Sequence, residues 1–491
     1  MFSLSSSSSS SFGSASTSSS SLMASSSSSS DDAMMFAAVQ TAVYIYQQQQ
    51  NENDEMEEES LSDDDAEIFE EMEQGEGRGG STPGRQNCQR DFEAAHQQLL
   101  NDYFSGTPVY KEYQFERRFG MPRTIFNKIY DELKVSNEFA RKYNPVTRSY
   151  GIHTRVRFCA ALQLLVSGNA LDSVDQYFKM GETTAHEAMK SFCKLVIQKF
   201  GDRYLNRCPT MREKQDVLEL MKRRGFPGAF ASWDCKHFVW KNCPVAWNGT
   251  HYHHKDKKKS LILEAISDPF GYIWYYHFGE PGSLNDLNIL DKSTMVGAIL
   301  NQTFDTQVEP YRIDNQQRDW LYFLVDGIYP KWSIFAKTIP EHLQVGEKET
   351  KYAARHEWVR KDVERCFGIL IQRFGILERP LRSWYTDDID SILRTCIILH
   401  NMVVEHAKPN FKFNDAFDPL PFDNLPGQDP DNPEDPQLTM ERFFSDTDGV
   451  AFAELPLGTR VTQVNDNMAD KDMHEALKED LINHIYKYYT A

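Results

Sequence analysis

The alternation of apolar and polar residues divides the chain into a helical stretch and a mixed stretch. From about residue 90 to residue 200, apolar positions recur every three to four residues, which is the period of an amphipathic helix. The pattern predicts helices over 155–165 and 183–200, with a short segment (173–178) and a turn (180–182) between them. This order, a short helix followed by a turn and a longer helix, is typical of a helix-turn-helix motif. An ordinary helical hairpin has the same spacing of elements.

The start of the second long helix carries candidate DNA contacts. Thr184, Glu187 and Lys190 fall near the exposed beginning of this helix, where a recognition helix reads base edges. The pattern alone supports DNA recognition and simple helix packing equally.

After residue 225 the period changes to that of strands and buried helices. The pattern predicts strands over 229–233, 261–267, 272–278 and 320–325. It predicts helices over 286–291 (with a pattern that continues toward 300), 358–374, 391–404 and 470–489. The second and third strands form a hairpin whose aromatic side chains favour core packing over base stacking. Together these elements indicate a mixed α/β sheet.

The charge of the chain is distributed unevenly. The 491 residues carry a formal net charge of −19, with −13 in residues 1–90, −11 in residues 411–491 and therefore +5 in residues 91–410. An acidic protein should avoid nucleic acid, whereas a basic core between two acidic ends need not. Residues 1–30 contain 20 serines, a composition that cannot bury a core and predicts disorder.

These features predict four regions. They are a disordered Ser-rich and acidic tail (1–85), a helical domain with a helix-turn-helix-like layout (86–205), an α/β domain (215–407) and an acidic irregular tail that ends in a short amphipathic helix (408–491). The eight cysteines are scattered without a CxxC pair, which favours a reduced, intracellular protein. No apolar run reaches the roughly 18–20 residues of a membrane span, so no membrane association is expected.

Four acidic residues stand where strands and helices meet. Two predicted strands end at Asp234 and Asp326, Asp286 begins a helix between them, and Glu364 lies beside the apolar stripe of a late helix. Carboxylates gathered at such positions suit two hard cations about 3.5–4 Å apart, which promote phosphodiester cleavage. Ligands that are all oxygen atoms favour Mg²⁺ or Mn²⁺ over zinc. With 72 acidic residues in the chain, this spacing is weak evidence by itself.

A loop rich in histidine and lysine follows the first of these strands. Its histidines could form a zinc site with Cys243 as the nearby cysteine; they are His251, His253 and His254. Its lysines, which include Lys257, Lys258 and Lys259, form either a solvated basic loop or a phosphate-contacting loop.

Charged residues also flank the candidate glutamate. Arg360 and Arg365 could pair with Glu364 or contact phosphate. Asp362 and Glu357 are interpreted as solvated helix acids.

Several sequence blocks occur together in one order along the chain. They are WDCKH (233–237), GSLNDLNIL (282–290), VDGIYPKW (325–332), RKDVERCFG (360–368) and ILHNM (398–402). With the neighbouring blocks they cover about 110–407 and resemble the PIF/Harbinger transposases, in particular the branch of plant transposon proteins.

The resemblance implies an RNase-H-like endonuclease of the DDE type. By analogy with the family, Asp234 and Asp326 bridge two divalent cations (Mg²⁺ or Mn²⁺), Glu364 completes the second site, and Asp286 is a further metal ligand. The expected reaction is cleavage of DNA at the terminal inverted repeats of a transposon, followed by attack of a freed 3′-OH on target DNA. It also implies action in the nucleus, a homo-oligomer on DNA and a separate Myb-like partner protein.

Two other functions compete with this expectation. The first is a host-adopted, transposase-derived DNA-binding or regulatory protein without catalytic turnover. The second is a phosphohydrolase that does not act on nucleic acid, which would leave the helical region and the basic loop unexplained. The four intact acids favour the transposase.

Overall fold

The computed structural model describes residues 90–145, 148–314, 316–408 and 470–489. The predicted tails, 1–85 and 408–491, lie outside these ranges except for residue 408 and the last helix. Among the helices that the structure describes, none is long and apolar enough to cross a membrane.

The first part of the described chain is helical. Its elements are α1 (Phe92–Leu99, continued by a π-helical turn, Leu100–Phe104), α2 (Glu112–Phe119), α3 (Arg123–Leu133), the short strands β1 (Tyr143–Asn144) and β2 (Ser149–Tyr150), α4 (Thr154–Ser167), α5 (Asp175–Phe178) and α6 (Glu182–Tyr204). The Asp91 carboxylate caps α1 by accepting hydrogen bonds from the backbone N–H groups of Glu93 and Ala94. The predicted helices over 155–165 and 183–200 are confirmed.

Helix α6 is a central packing element of this part. It follows α5 after a three-residue turn in which Lys179 is left-handed, with φ of 52°. Its apolar side chains are buried, and they pack against α4 and later elements; they include Ala185, Ala188, Met189, Phe192, Leu195, Val196 and Phe200. The α5–α6 pair therefore has the expected order and turn length, while most of α6 is occupied by core contacts.

The second part contains a mixed sheet. After α7 (Met211–Arg223) come β3 (Ala229–Val239), β4 (Tyr252–His253), β5 (Lys258–Ser267), β6 (Ile273–Pro281), α8 (Asp286–Lys292), α9 (Thr294–Leu300), β7 (Gln307–Ile313), β8 (Gln316–Trp320), β9 (Tyr322–Val325) and β10 (Phe335–Lys337). The order across the sheet is β10-β9-β3-β5, and both β4 and β6 pair with β5. Strand β3 is antiparallel to β5 and parallel to β9, and β5 is antiparallel to β6. The predicted hairpin and the mixed α/β class are confirmed.

Four helices complete the described fold: α10 (Glu347–Arg360), α11 (Asp362–Arg373), α12 (Thr386–Ala407) and α13 (Lys471–Tyr489). The prediction of one helix over 358–374 is wrong, because α10 ends and α11 begins around Lys361. The break allows Asp362 to reach Arg224, which follows α7 and is fully buried. Asp362 is thus a buried ion-pair partner, and its interpretation as a solvated acid is also wrong.

Buried contacts join the helices to the sheet. The Asn401 amide donates hydrogen bonds to the backbone carbonyls of Tyr204 and Ile273 and accepts one from the Ile273 N–H, so it links α12 to α6 and β6. Trp274 and Tyr275 on β6 are almost fully buried, which confirms the predicted core packing of the aromatic hairpin. Helix α13 buries Leu477, Leu481 and Ile485, and it packs against α10 and β10.

Candidate active site

The register of two parallel strands brings the first two predicted acids together. Ser232 on β3 lies opposite Leu324 on β9. Asp234 lies two residues after Ser232, and Asp326 lies two residues after Leu324. The two aspartates therefore occupy neighbouring positions and share one face of the sheet. Each carboxylate accepts a hydrogen bond from the N–H of the next residue, Cys235 at 2.9 Å and Gly327 at 2.6 Å.

The other two predicted acids come from helix starts. Asp286 is the first residue of α8, directly after the Asn285 cap, and Glu364 is the third residue of α11. We refer to Asp234, Asp286, Asp326 and Glu364 as the acid cluster. Electrostatic coupling links Asp234 with Asp286 and Glu364, and Asp286 with Asp326, so the four acids lie in one neighbourhood. No three of them offer ligand atoms within 4.8 Å of one another in this structure.

Arg360, the last residue of α10, reaches into the acid cluster. Its guanidinium lies 3.5 Å from an Oδ of Asp234, 3.2 Å from an Oε of Glu364 and 3.2 Å from an Oε of Glu357. The side chain is only 10% exposed. Arg360 therefore pairs with Glu364, which is one of the two roles considered for it, while Glu357 is drawn into the same network instead of being a fully solvated acid.

Negative charge in the acid cluster exceeds the positive charge beside it. Burial raises the pKa of Asp234 to about 7, and the charges of Asp286 and Glu364 add to this rise, while the Cys235 N–H and Arg360 oppose it. Burial also raises the pKa of Asp286, with a further contribution from Asp326. Two neighbouring, largely buried carboxylates with raised pKa values, Asp234 and Asp286, are typical of a functional site.

The chemistry of this donor set fits divalent cations. All four side chains offer hard oxygen ligands, and their mutual repulsion is the kind that a bound cation relieves. The raised pKa of Asp234 fits the same interpretation, since a nearby cation favours the ionised carboxylate. Mg²⁺ or Mn²⁺ could therefore be held by Asp234, Asp286, Asp326 and Glu364.

Two supporting residues were missed by the sequence reasoning. Glu264 on β5 is completely buried, and it accepts a hydrogen bond of 2.8 Å from the indole N–H of Trp233, next to Asp234. Burial raises the pKa of Glu264 to about 7. The side chain of Cys235 lies close enough to Asp286 to lower its pKa, and it thus couples β3 to the start of α8. The sequence signal that could have identified Glu264 is its position as a single acid within the mostly apolar run 261–266.

The predicted basic residues occupy different surroundings. Lys257, Lys258 and Lys259 lie in the β4–β5 hairpin, where the first two are exposed. The backbone of this hairpin touches the loop before Asp286, because the Gly282 N–H donates to the Ser260 carbonyl on β5. Arg365 lies on α11 and pairs with Asp362, whereas Arg360 points into the acid cluster.

The predicted contacts on α6 are partly engaged within the protein. Thr184 is half-buried, and Glu187 and Lys190 are exposed. The Lys190 ammonium lies 2.9 Å from an Oδ of Asp388 on α12. Lys190 therefore lies on the side of α6 that meets α12.

The alternative zinc site in the histidine loop is not assembled. His251 is buried against Trp240 and Trp247, while His253 stacks on His237. Within the part of the chain that the structure describes, the one compact group of three potential metal ligands is elsewhere, at Glu93, His96 and His153.

A sequence family covers the region of the chain that holds the acid cluster. Residues 202–410, which contain the whole acid cluster, match the family described as plant transposon protein, and residues 96–134 match a domain of unknown function. Protein ALP1-like from Arabidopsis thaliana is 22% identical over 297 residues, which cover 59% of this chain and 70% of that protein. No solved structure matches the chain significantly.

Proposed function

The chain is a PIF/Harbinger-type, transposase-like protein, and on this premise we propose that it is a divalent-metal-dependent DNA endonuclease of the DDE type. It would cut phosphodiester bonds at transposon ends and join those ends to target DNA. The observation that carries the proposal is the register of β3 and β9, which sets Asp234 and Asp326 side by side within the acid cluster.

The strand order supports an RNase-H-like catalytic domain. Three antiparallel strands (β6, β5 and β3) are followed across the sheet by β9, parallel to β3, and by β10, parallel to β9. Acids at the centre of such a sheet, together with a glutamate from a later helix, form the arrangement that the DDE proposal requires. The proposed catalytic domain spans 215–407, and the helical domain before it spans 86–205.

Each residue of the acid cluster has a proposed role. Asp234 and Asp326 would hold both cations, Glu364 would complete the second site, and Asp286 would be a further ligand. Bound Mg²⁺ or Mn²⁺ would supply Lewis-acid activation of the attacking water and stabilise charge on the leaving oxygen. Arg360 would release Asp234 and Glu364 when the cations bind, and its guanidinium could then hold a DNA phosphate beside the reacting bond.

The basic residues suggest a path for DNA. The exposed lysines of the β4–β5 hairpin adjoin the loop that delivers Asp286, so phosphate contacts there would guide DNA toward the acid cluster. Arg365 would contact phosphate further along α11. Helix α6 would contribute helix-turn-helix contacts through Thr184, Glu187 and Lys190, with the Lys190–Asp388 pair limiting its positive charge.

The proposal extends to the setting of the reaction. Its substrates are the terminal inverted repeats and target DNA, both in the nucleus. The protein would act as a homo-oligomer on DNA, together with a Myb-like partner.

Plasmid nicking tests the proposed activity. Purified full-length protein would be incubated with supercoiled DNA and Mn²⁺ or Mg²⁺, beside Asp234→Asn and Glu364→Gln. Two exposed acids outside the cluster provide matched controls, Asp202→Asn and Glu378→Gln. Nicking by the wild type and both controls, but by neither cluster variant, supports the proposal. Equal nicking by all five proteins contradicts it.

One observation favours a second function. Arg360 lies between the acids and neutralises part of their charge, as a protein without turnover could retain permanently. In that case the chain is a transposase-derived DNA-binding or regulatory protein. DNA binding without metal-dependent nicking, repeated with element ends and a Myb-like partner, would favour this function.

A further inference from the structure

A second group of metal-ligand side chains lies in the helical part of the protein. Glu93 and His96 are one turn apart on α1, and His153 is the cap residue before α4. One ligand atom from each of the three side chains lies within 4.8 Å of the other two. We propose that these residues, called here the histidine cluster, form a binding site for Zn²⁺ or a similar divalent transition-metal ion.

The hydrogen bonding within the histidine cluster is incomplete. Nε2 of His153 lies 2.8 Å from one carboxylate oxygen of Glu93, which is a hydrogen bond. Nδ1 of His96 lies 3.9 Å from the other oxygen, beyond hydrogen-bond distance. This nitrogen is buried and has no hydrogen-bond partner among the described residues. A buried ring nitrogen aimed at a carboxylate but not bonded to it is a position that a metal ion would satisfy.

The three ligand types select the class of metal. Two imidazoles and one carboxylate form a common zinc set that leaves a fourth position for water or another ligand. The acid cluster, in contrast, offers only oxygen atoms and suits Mg²⁺ or Mn²⁺. The two sites should therefore bind different metals from a mixture.

Metal binding requires a defined movement of the histidine rings. His96 and His153 stack with ring centroids 3.7 Å apart and an angle of 9° between their planes. A metal lies close to the plane of each ring that ligates it, so parallel stacked rings must tilt apart before both can bind one ion. Rotation about the Cβ–Cγ bond of each side chain provides this tilt, because that torsion is broad.

Neighbouring charges set the strength of the site. A guanidinium nitrogen of Arg141 lies 3.5 Å from Glu93, and Arg155 is close enough to affect His96. Both cations oppose a divalent ion, so the affinity should be lower than that of a zinc site made of cysteines. The bound ion would join the start of α1 to the start of α4 across 57 residues of sequence.

Zinc titration of the full-length protein tests this proposal. The chain would be dialysed against EDTA and titrated calorimetrically with Zn²⁺ in excess Mg²⁺, beside His96→Gln and Glu93→Gln. Asp234→Asn reports zinc bound at the acid cluster, and His254→Gln is a matched control for an exposed histidine. We expect one equivalent of zinc on the wild type and on both controls, with affinity roughly tenfold or more lower in the two cluster variants.

Two further measurements separate ligand loss from misfolding. The metal-free variants should have the circular dichroism spectrum and melting temperature of the metal-free wild type. His96→Cys should restore zinc binding, because a thiolate is also a zinc ligand. Equal affinity of wild type and His96→Gln, or loss of zinc only in Asp234→Asn, would overturn the proposal.

Discussion

The acid cluster and the histidine cluster are built on different scaffolds. In the acid cluster, adjacent parallel strands place two aspartates side by side, and helix starts add the other acids. In the histidine cluster, one helical turn and a cap residue bring together two imidazoles and a carboxylate. Strand register thus produces a set of hard oxygen ligands, whereas helix spacing and a loop produce a mixed set. The difference predicts two metal preferences in one chain.

Arginine accompanies both clusters but to different extents. Arg360 contacts three acids at 3.2–3.5 Å and is nearly buried, while Arg141 contacts Glu93 at 3.5 Å and is 30% exposed. An arginine among buried acids supplies the countercharge that they need in the absence of a cation. The acid cluster therefore has to rearrange its ion pairs to bind metal, whereas the histidine cluster has to rotate its rings.

The largest effect on stability is expected when the buried ion pair between Asp362 and Arg224 is removed. Asp362→Ala leaves the fully buried Arg224 without its carboxylate partner, next to the break between α10 and α11. The free energy of unfolding should fall by about 3–5 kcal/mol, measured by urea denaturation. Asp319→Ala, at an exposed acid on β8, is the control. A loss below about 1 kcal/mol in the free energy of unfolding would show that this ion pair contributes little to the stability of the fold.

The second effect concerns catalysis and separates the two clusters. Asp326→Asn should lower the rate of plasmid nicking roughly 10²–10³-fold, because one of the carboxylates proposed to hold the cations beside the reacting bond is lost. His96→Gln should nick like the wild type, since the histidine cluster has no part in the proposed reaction. A comparable loss in both variants would mean that the two clusters are not independent.

A third, smaller effect tests how the helical part is joined to α11. Gly168 ends α4 with φ of 60°, and a Cβ there would lie 2.4 Å from the carbonyl oxygen of Gly375. Gly168→Ala should destabilise the protein by roughly 1–3 kcal/mol through strain and this backbone clash, measured by thermal or urea unfolding. Gly106→Ala, where a Cβ meets nothing within 4 Å, is the control. Equal stability of both variants contradicts the close approach.

A fourth effect is a dependence of stability on pH. Burial raises the pKa of Asp234 from 3.8 to about 7, so the folded state holds a proton that the unfolded state releases. This contribution to stability is fully present below about pH 4 and is lost as the pH rises to about 7. In EDTA, Asp234→Asn should therefore lose less stability than the wild type between pH 5 and pH 8. If urea denaturation shows the same change in the free energy of unfolding for both proteins between these pH values, the raised pKa of Asp234 is refuted.

Much of the acid cluster follows from local sequence features. The predicted end of a strand at Asp234 is wrong, because β3 continues to Val239 and Asp234 lies in its middle. Asp326 does follow the buried run of β9 directly, as predicted. The register of the two strands was not predictable, because it depends on pairing between segments about ninety residues apart.

Other features of the fold depend on contacts between residues far apart in the chain, so the local sequence pattern did not predict them. The apolar stripe over 358–374 continues across Lys361, so the break between α10 and α11 was not visible. Asp362 looks like any helix acid until Arg224 is brought to it by the fold. The β7–β8 hairpin is mostly polar and was missed because alternation is weak there. His96 and His153 have no recognisable metal spacing, and only the packing of α1 beside α4 brings them together.

X-ray diffraction with anomalous scattering from Mn²⁺ would test the central claim most directly. Crystals of the full-length protein would be grown with Mn²⁺, and the metal would be located from data collected at its absorption edge. The account predicts manganese at ligand distance from both Asp234 and Asp326, with Arg360 moved away from Asp234. Arg360 still seated between Asp234 and Glu364, with no manganese at these acids under saturating conditions, would contradict it.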